Sequence, residues 1–151
     1  MTTKQVNIRR DSELENATIT YGPGDRHYHL ELGLRDGRTL LADDGDYFEC
    51  LVTVRRVLEQ EGALVCCQGA RPDVWPSGMA RDMGAGLKAY VLVNGKVPTL
   101  DDLVDVFEPA EPTAVGTVAE QEKRRDAWFA ARAASPTPKT RKRWPFLPRR
   151  G

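Results

Sequence analysis

The chain is poor in cysteine and histidine and has no long apolar run. Its 151 residues include three cysteines, Cys50, Cys66 and Cys67, and two histidines. Cys50 falls in a helical pattern, and adjacent strand residues such as Cys66 and Cys67 point to opposite faces, so no disulfide framework emerges and reduced thiols are expected. No segment approaches ~18 uninterrupted apolar residues, which excludes a transmembrane helix. The first ten residues, Met1 to Arg10, lack the apolar stretch of a signal peptide, so a cytoplasmic protein is expected. The Gly-x-x-x-x-Gly-Lys-Ser/Thr order of a phosphate loop is missing, and a lone Gly84-Ala85-Gly86 followed by a strand is no dinucleotide fingerprint.

Metal and nucleophile chemistry are equally thin. His29-Leu30-Glu31 has the His-x-Glu order of zinc deaminases, but their Pro-Cys-x-x-Cys partner is missing, and the adjacent Cys66 and Cys67 cannot replace it. A solvated strand face is expected for His27 and His29. Asp43-Asp44-Gly45-Asp46 lacks the spacing and terminal glutamate of a calcium loop and reads as a helix start. Ser77 lies in Pro-Ser-Gly-Met, not in a nucleophile elbow. No catalytic residue, metal ligand or cofactor is assigned.

Net charge is also absent, with 22 basic and 22 acidic residues, but the two signs are segregated. Residues 1–111 carry 12 Lys/Arg against 19 Asp/Glu, a net −7, and residues 112–151 carry 10 against 3, a net +7. An acidic body favours cationic partners, and a basic tail favours phosphates, anionic lipid or the body itself.

What is present reads as an α+β domain. Ala17 to Tyr21, His27 to Leu34 and Thr39 to Ala42 are β-rich or alternating runs, with Tyr28, Leu30, Leu32 and Leu34 on one core face. Asp36-Gly37 predicts a two-residue hairpin turn of type I′. From Asp44 to Glu61 the apolar period becomes helical, through Tyr47/Phe48, Leu51, Val54 and Leu58, with Arg55 and Arg56 expected to face outward and Gly62 beyond the end. Ala63 to Cys67 and Leu87 to Val93 read as strands, and Asn94-Gly95 predicts a hairpin to Lys96 and Val97. Thr99 to Phe107 begins with a capping residue and places Leu100, Leu103, Val104 and Phe107 on one stripe, which predicts a short closing helix.

The expected architecture is an antiparallel sheet of about five strands packed by one main helix, with a C-terminal helical appendage and a basic tail. The domain is placed at 1–110, a proline-containing linker at 111–116, a helix at 117–134 and a flexible basic tail at 135–151. Residues 139–150 are expected to make at most weak, salt-dependent contact with anionic lipid or nucleic acid.

The functional expectation rests on residues 69–88. A connection longer than roughly 12 to 15 residues is uncommon in a compact domain unless it binds something or is disordered, and disordered segments usually lack residues like Trp75, Met79 and Met83. Trp75, Met79, Arg81 and Met83 are the candidate partner-binding residues; in the alternative, packing role Trp75, Met79 and Met83 cap the core while Arg71 or Arg81 pairs with Asp73 or Asp82. Arg71, Arg81 and Lys88, with Gly84 and Gly86 permitting close backbone approach, form a candidate anion site.

The segment from Trp75 through Pro-Ser-Gly-Met-Ala-Arg-Asp-Met-Gly-Ala-Gly-Leu-Lys-Ala to Tyr90, followed by Asp102-Leu-Val-Asp-Val-Phe107, resembles small uncharacterised bacterial proteins over residues 30 to 110. Some such proteins are immunity or accessory partners of bacterial toxins, so the resemblance implies a bacterial protein of that kind. The reading is a non-enzymatic, immunity-like recognition module that binds a protein partner through residues 69–88. The alternative is an enzyme or sensor that binds a phosphate- or carboxylate-bearing small molecule through Arg71, Arg81 and Lys88, with Asp73, Asp82 or His29 as acid/base groups.

Overall fold

The computed structural model describes residues 1–134, so the expected tail and its lipid or nucleic-acid contact lie outside the described residues. The chain begins with a hairpin of β1, Thr2–Arg10, and β2, Glu13–Pro23, followed by β3, Tyr28–Gly33, and β4, Thr39–Asp44. After α1, Tyr47–Gln60, comes β5, Ala63–Cys66, which closes an antiparallel five-stranded sheet of order β4-β3-β2-β1-β5. Alternation puts Val6, Ile8, Ala17, Ile19, Leu30 and Leu32 on one face, all buried.

Helix α1 packs on that face through Phe48, Leu51, Val54 and Leu58, which recur every three or four residues and are shut off from solvent. Asp46 starts it by accepting from Glu49 N–H, and its chain reverses at Gly62, whose φ of +75° favours glycine. Truncating Leu51 to alanine would cost about 2–5 kcal/mol by opening a void under the sheet.

A second, three-stranded sheet joins β6, Val74–Trp75, β7, Lys88–Val91, and β8, Leu103–Asp105. Between β6 and β7 lies α2, Gly78–Gly84, and the described chain ends with α3, Val118–Ala134. Helix α3 rests on the second sheet. Trp128 is buried beside Tyr90 and Leu92, its Nε1 donates to Val93 O at 2.9 Å, and it meets Phe129 edge-on with ring centroids 5.0 Å apart. The helix is thus packed into the body, with Val118 and Gln121 also buried.

Several local expectations are corrected. Residues 2–10 form β1, a central strand with no counterpart in the sequence reading. The closing helix expected over Thr99 to Phe107 is one 3-10 turn, Leu100–Asp102, followed by β8. Its capping box forms, but Leu103 to Asp105 pair with β7, because strand pairing satisfies that backbone better than a short isolated helix. The Asp36-Gly37 turn has three loop residues. Leu34 N–H donates to Arg38 O at 2.8 Å, Gly37 N–H donates to Leu34 O at 3.1 Å, and of this pair only Gly37 has positive φ. The strand expected at Leu87 to Val93 is the shorter β7 and belongs to the second sheet, and no strand forms at Lys96 and Val97. Arg55 faces inward, 1% exposed.

Candidate functional site

Residues 69–88 are ordered locally. Gln68–Ala70 makes a 3-10 turn, β6 pairs with β7, and Ser77 caps α2 by accepting from Ala80 N–H at 2.9 Å. That bond and its burial give Ser77 a structural task. Helix α2 ends at Ala85, whose backbone is left-handed, and the chain then folds against the start of α1, where Tyr47 N–H donates to Ala85 O at 2.7 Å. Gly86 is required there: a Cβ would sit 3.0 Å from the Asp46 carboxylate, and φ is +75°.

Arg81 clamps α2 to α1. Its Nη1 donates to Asp46 Oδ2 at 3.0 Å and Glu49 Oε1 at 2.9 Å, and its guanidinium lies 5.2 Å from the Phe48 ring centre and 5.6 Å from that of Trp75. Trp75 is half-buried, edge-on to Phe48 at 5.2 Å, and Arg125 of α3 stacks 4.4 Å from its ring. The two candidate contact residues Trp75 and Arg81 are therefore held within the fold by aromatic and ionic neighbours.

Met79 and Met83 sit differently, 43% and 82% exposed on the outer side of the clamped helix. They border a shallow cleft of about 220 Å³ whose other walls include Lys88 and Tyr90 of β7 and Leu103 of β8. Tyr90 and Leu103 are not among the candidate site residues that the sequence offers. Its pattern puts Leu103 on a helical stripe, and only the β7–β8 pairing brings it opposite Tyr90.

The candidate anion ligands are each engaged by carboxylates. Arg71 makes a two-point pair with Asp73, at 3.0 and 2.8 Å, and also donates to Gln68 Oε1. Arg81 has Asp46 and Glu49, and Lys88 Nζ stands 3.7 Å from Asp105. The amides near Gly84 and Gly86 are used internally, with Gly86 N–H donating to Ala80 O and Leu87 N–H to Gly84 O. Asp82 is exposed on α2, whereas His29 lies on β3 with Nδ1 2.8 Å from Asp43 Oδ1.

Beneath this surface lies a polar node. Arg55 donates to Gln121 Oε1 at 2.6 Å, Gly116 O at 3.0 Å and Gly69 O at 3.4 Å. Gln121 Nε2 lies within hydrogen-bond distance of three carbonyls, those of Gly69, Arg71 and Val74, at 2.8 to 2.9 Å. Residues 69–74 are thereby fastened to α1 and α3 at once. Burial lowers the Arg55 pKa from its usual value, and burial likewise raises that of Glu59, whose carboxylate stands 3.8 Å from Arg55 Nε and accepts from Val118 N–H.

All three cysteines are free and buried, with the Cys50 thiol pushed up to about 11 and Cys67 to about 12 by burial. Among the described residues, no three Cys, His, Asp or Glu side chains group as metal ligands, and no helix is long and apolar enough to cross a membrane. No protein-family model matches the chain, and no curated protein matches it.

Proposed function

We propose that this chain is a non-enzymatic protein-recognition module that presents α2 and its adjoining cleft to a protein partner. The observation that carries the reading is the pair of exposed methionines, Met79 and Met83, on a helix whose base is fixed by Arg81. Methionine side chains are flexible and polarizable, so they adapt to an apolar partner surface, while a fixed helix lowers the ordering cost of binding. The acidic balance of residues 1–111 suits a cationic partner. An immunity-like role toward a bacterial toxin follows from the resemblance over residues 30 to 110, and the three buried free thiols suit a reducing cytoplasm.

The anionic-ligand reading is weaker, because a ligand at Arg71 or Arg81 must displace Asp73, or Asp46 and Glu49. Capture from bacterial extracts by the parent and by the double variant Met79→Asp, Met83→Asp tests the proposal. The parent should retain a defined protein that the variant loses, with equal melting temperatures. Identical capture by both proteins, or stabilisation of the parent by anionic metabolites with no captured protein, would overturn it.

A further inference from the structure

The two edges of the five-stranded sheet are treated differently. At the C-terminal end of β5 and just past it, Cys67 bridges to Pro109, Gln68 N–H donates to Glu108 O at 2.8 Å, and Ala110 N–H donates to Cys66 O at 3.1 Å. The chain's own segment covers that end of the edge. At the opposite edge, no strand among the described residues pairs with the outer side of β4. Open edges are usually blunted by charged side chains, lysine above all, by proline or by a bulge. Thr39–Asp44 has no lysine or proline and carries charge only at its Asp43–Asp44 end, and its register with β3 runs through six consecutive pairs without interruption.

The outward-facing backbone groups follow from the turn. Leu34 N–H donates to Arg38 O, which makes 34 and 38 a hydrogen-bonded pair. Alternation then directs the backbone groups of Leu40, Ala42 and Asp44 toward β3 and leaves those of Thr39, Leu41 and Asp43 pointing away from the sheet. Leu41, at the middle of this outward set, is 58% exposed on the face opposite α1. On the helix side, Val57 is 41% exposed. It lies on the same flank of α1 as Thr53, which donates to Asp44 at one end of β4, and Glu61, which accepts from Arg38 at the other. One apolar side chain therefore stands on each side of the strand's midpoint.

We propose that β4 pairs antiparallel with β4 of a second copy of this chain, about a two-fold axis at Leu41, joining two five-stranded sheets into one. This register uses all three outward-facing residues, setting Leu41 against Leu41 and Thr39 against Asp43. It also sets Arg38, whose guanidinium already holds Asp36 and Glu61 of its own copy, against Asp44 of the other, so opposite charges meet at each end of the new strand pair. Val57 of each copy approaches its mate above the new strand pair. This surface is separate from the α2 cleft.

Sedimentation of the full chain across a concentration series tests the pairing. The parent should dimerise. Leu41→Lys, which sets two like charges opposite each other, should raise the dimer dissociation constant by roughly tenfold or more without changing the circular-dichroism spectrum. Because the native cysteines are buried, Leu41→Cys supplies one exposed thiol at the axis. It should form a reducible dimer under mild oxidation much faster than Met83→Cys, and this result decides the matter if Leu41→Lys fails to fold. A monomeric parent at every concentration, a dimer that Leu41→Lys leaves unchanged, or equal cross-linking of the two cysteine variants would overturn the proposal. Because Met83 variants should leave the dimer intact, failure here is distinguishable from failure of the α2 reading.

Discussion

Gln121 Oε1 accepts a 2.6 Å hydrogen bond from Arg55 Nη1, and both side chains are closed to solvent. The guanidinium has no hydrogen-bond acceptor for its Nε among the described residues, so its burial relies on Gln121, on the carbonyls of Gly69 and Gly116, and on the Glu59 carboxylate 3.8 Å from Nε. Removing the glutamine leaves a buried cation short of one partner and uncovers three carbonyls.

Gln121→Ala is therefore expected to lower stability by about 3 kcal/mol or more in urea denaturation. Arg55→Met combined with Gln121→Leu should cost less than the sum of the two single changes, since the pair is removed together. Strict additivity would show that the two side chains act independently.

Truncation after Ala110 removes Gln121, Trp128 and the Gly116 carbonyl together. The sequence reading, with its boundary near residue 110, expects such a fragment to fold. The packing of α3 predicts that it loses its cooperative thermal transition, or melts far below the parent. Circular dichroism on both proteins distinguishes these expectations.

That contrast shows where the sequence is informative. Phe48, Leu51, Val54 and Leu58 repeat with the helical period, and Leu30 and Leu32 with the strand period, so α1 and β3 are legible from local pattern. Strand β1 is not, because TTKQVNIRR has only Val6 and Ile8 as buried apolar markers, and its pairing with β2 and β5 supplies the rest. Arg55 reads as outward because charged residues seldom bury unpaired, and the partner that permits its burial lies on α3. In the candidate site, Met79 and Met83 are visible as exposed-surface candidates. Arg71 pairs locally with Asp73, two residues on, whereas the paired state of Arg81 is a tertiary fact, since its carboxylates come from Asp46 and Glu49 at the start of α1.

Acid should act through Glu61, whose carboxylate is held down to about 2 from 4.5, chiefly by its hydrogen bonds from Arg38. A depressed carboxylate contributes stability that is present above its unfolded value and lost as pH falls through the folded one. Stability should therefore decline between pH 4.5 and 2, and Glu61→Gln should flatten that limb. Melting temperatures of both proteins across this range provide the check, and parallel curves would contradict the assignment.

The thiols should be silent in the native state. Burial raises Cys50 to about 11 and Cys67 to about 12, and it raises Cys66 as well, so little thiolate exists at pH 8. A thiol reagent should label none of the three rapidly until denaturant is added. Fast labelling of the folded protein would reveal local opening near α1 or β5.

Photo-cross-linking from position 83 in living bacterial cells, with the same probe at Asp11 on the β1–β2 turn as the reference, tests the recognition surface most directly. If α2 presents Met83 to a protein partner, the probe at 83 yields one discrete adduct that Met79→Asp abolishes and that position 11 does not give. No adduct at 83, or the same set of adducts from both positions, would contradict the assignment.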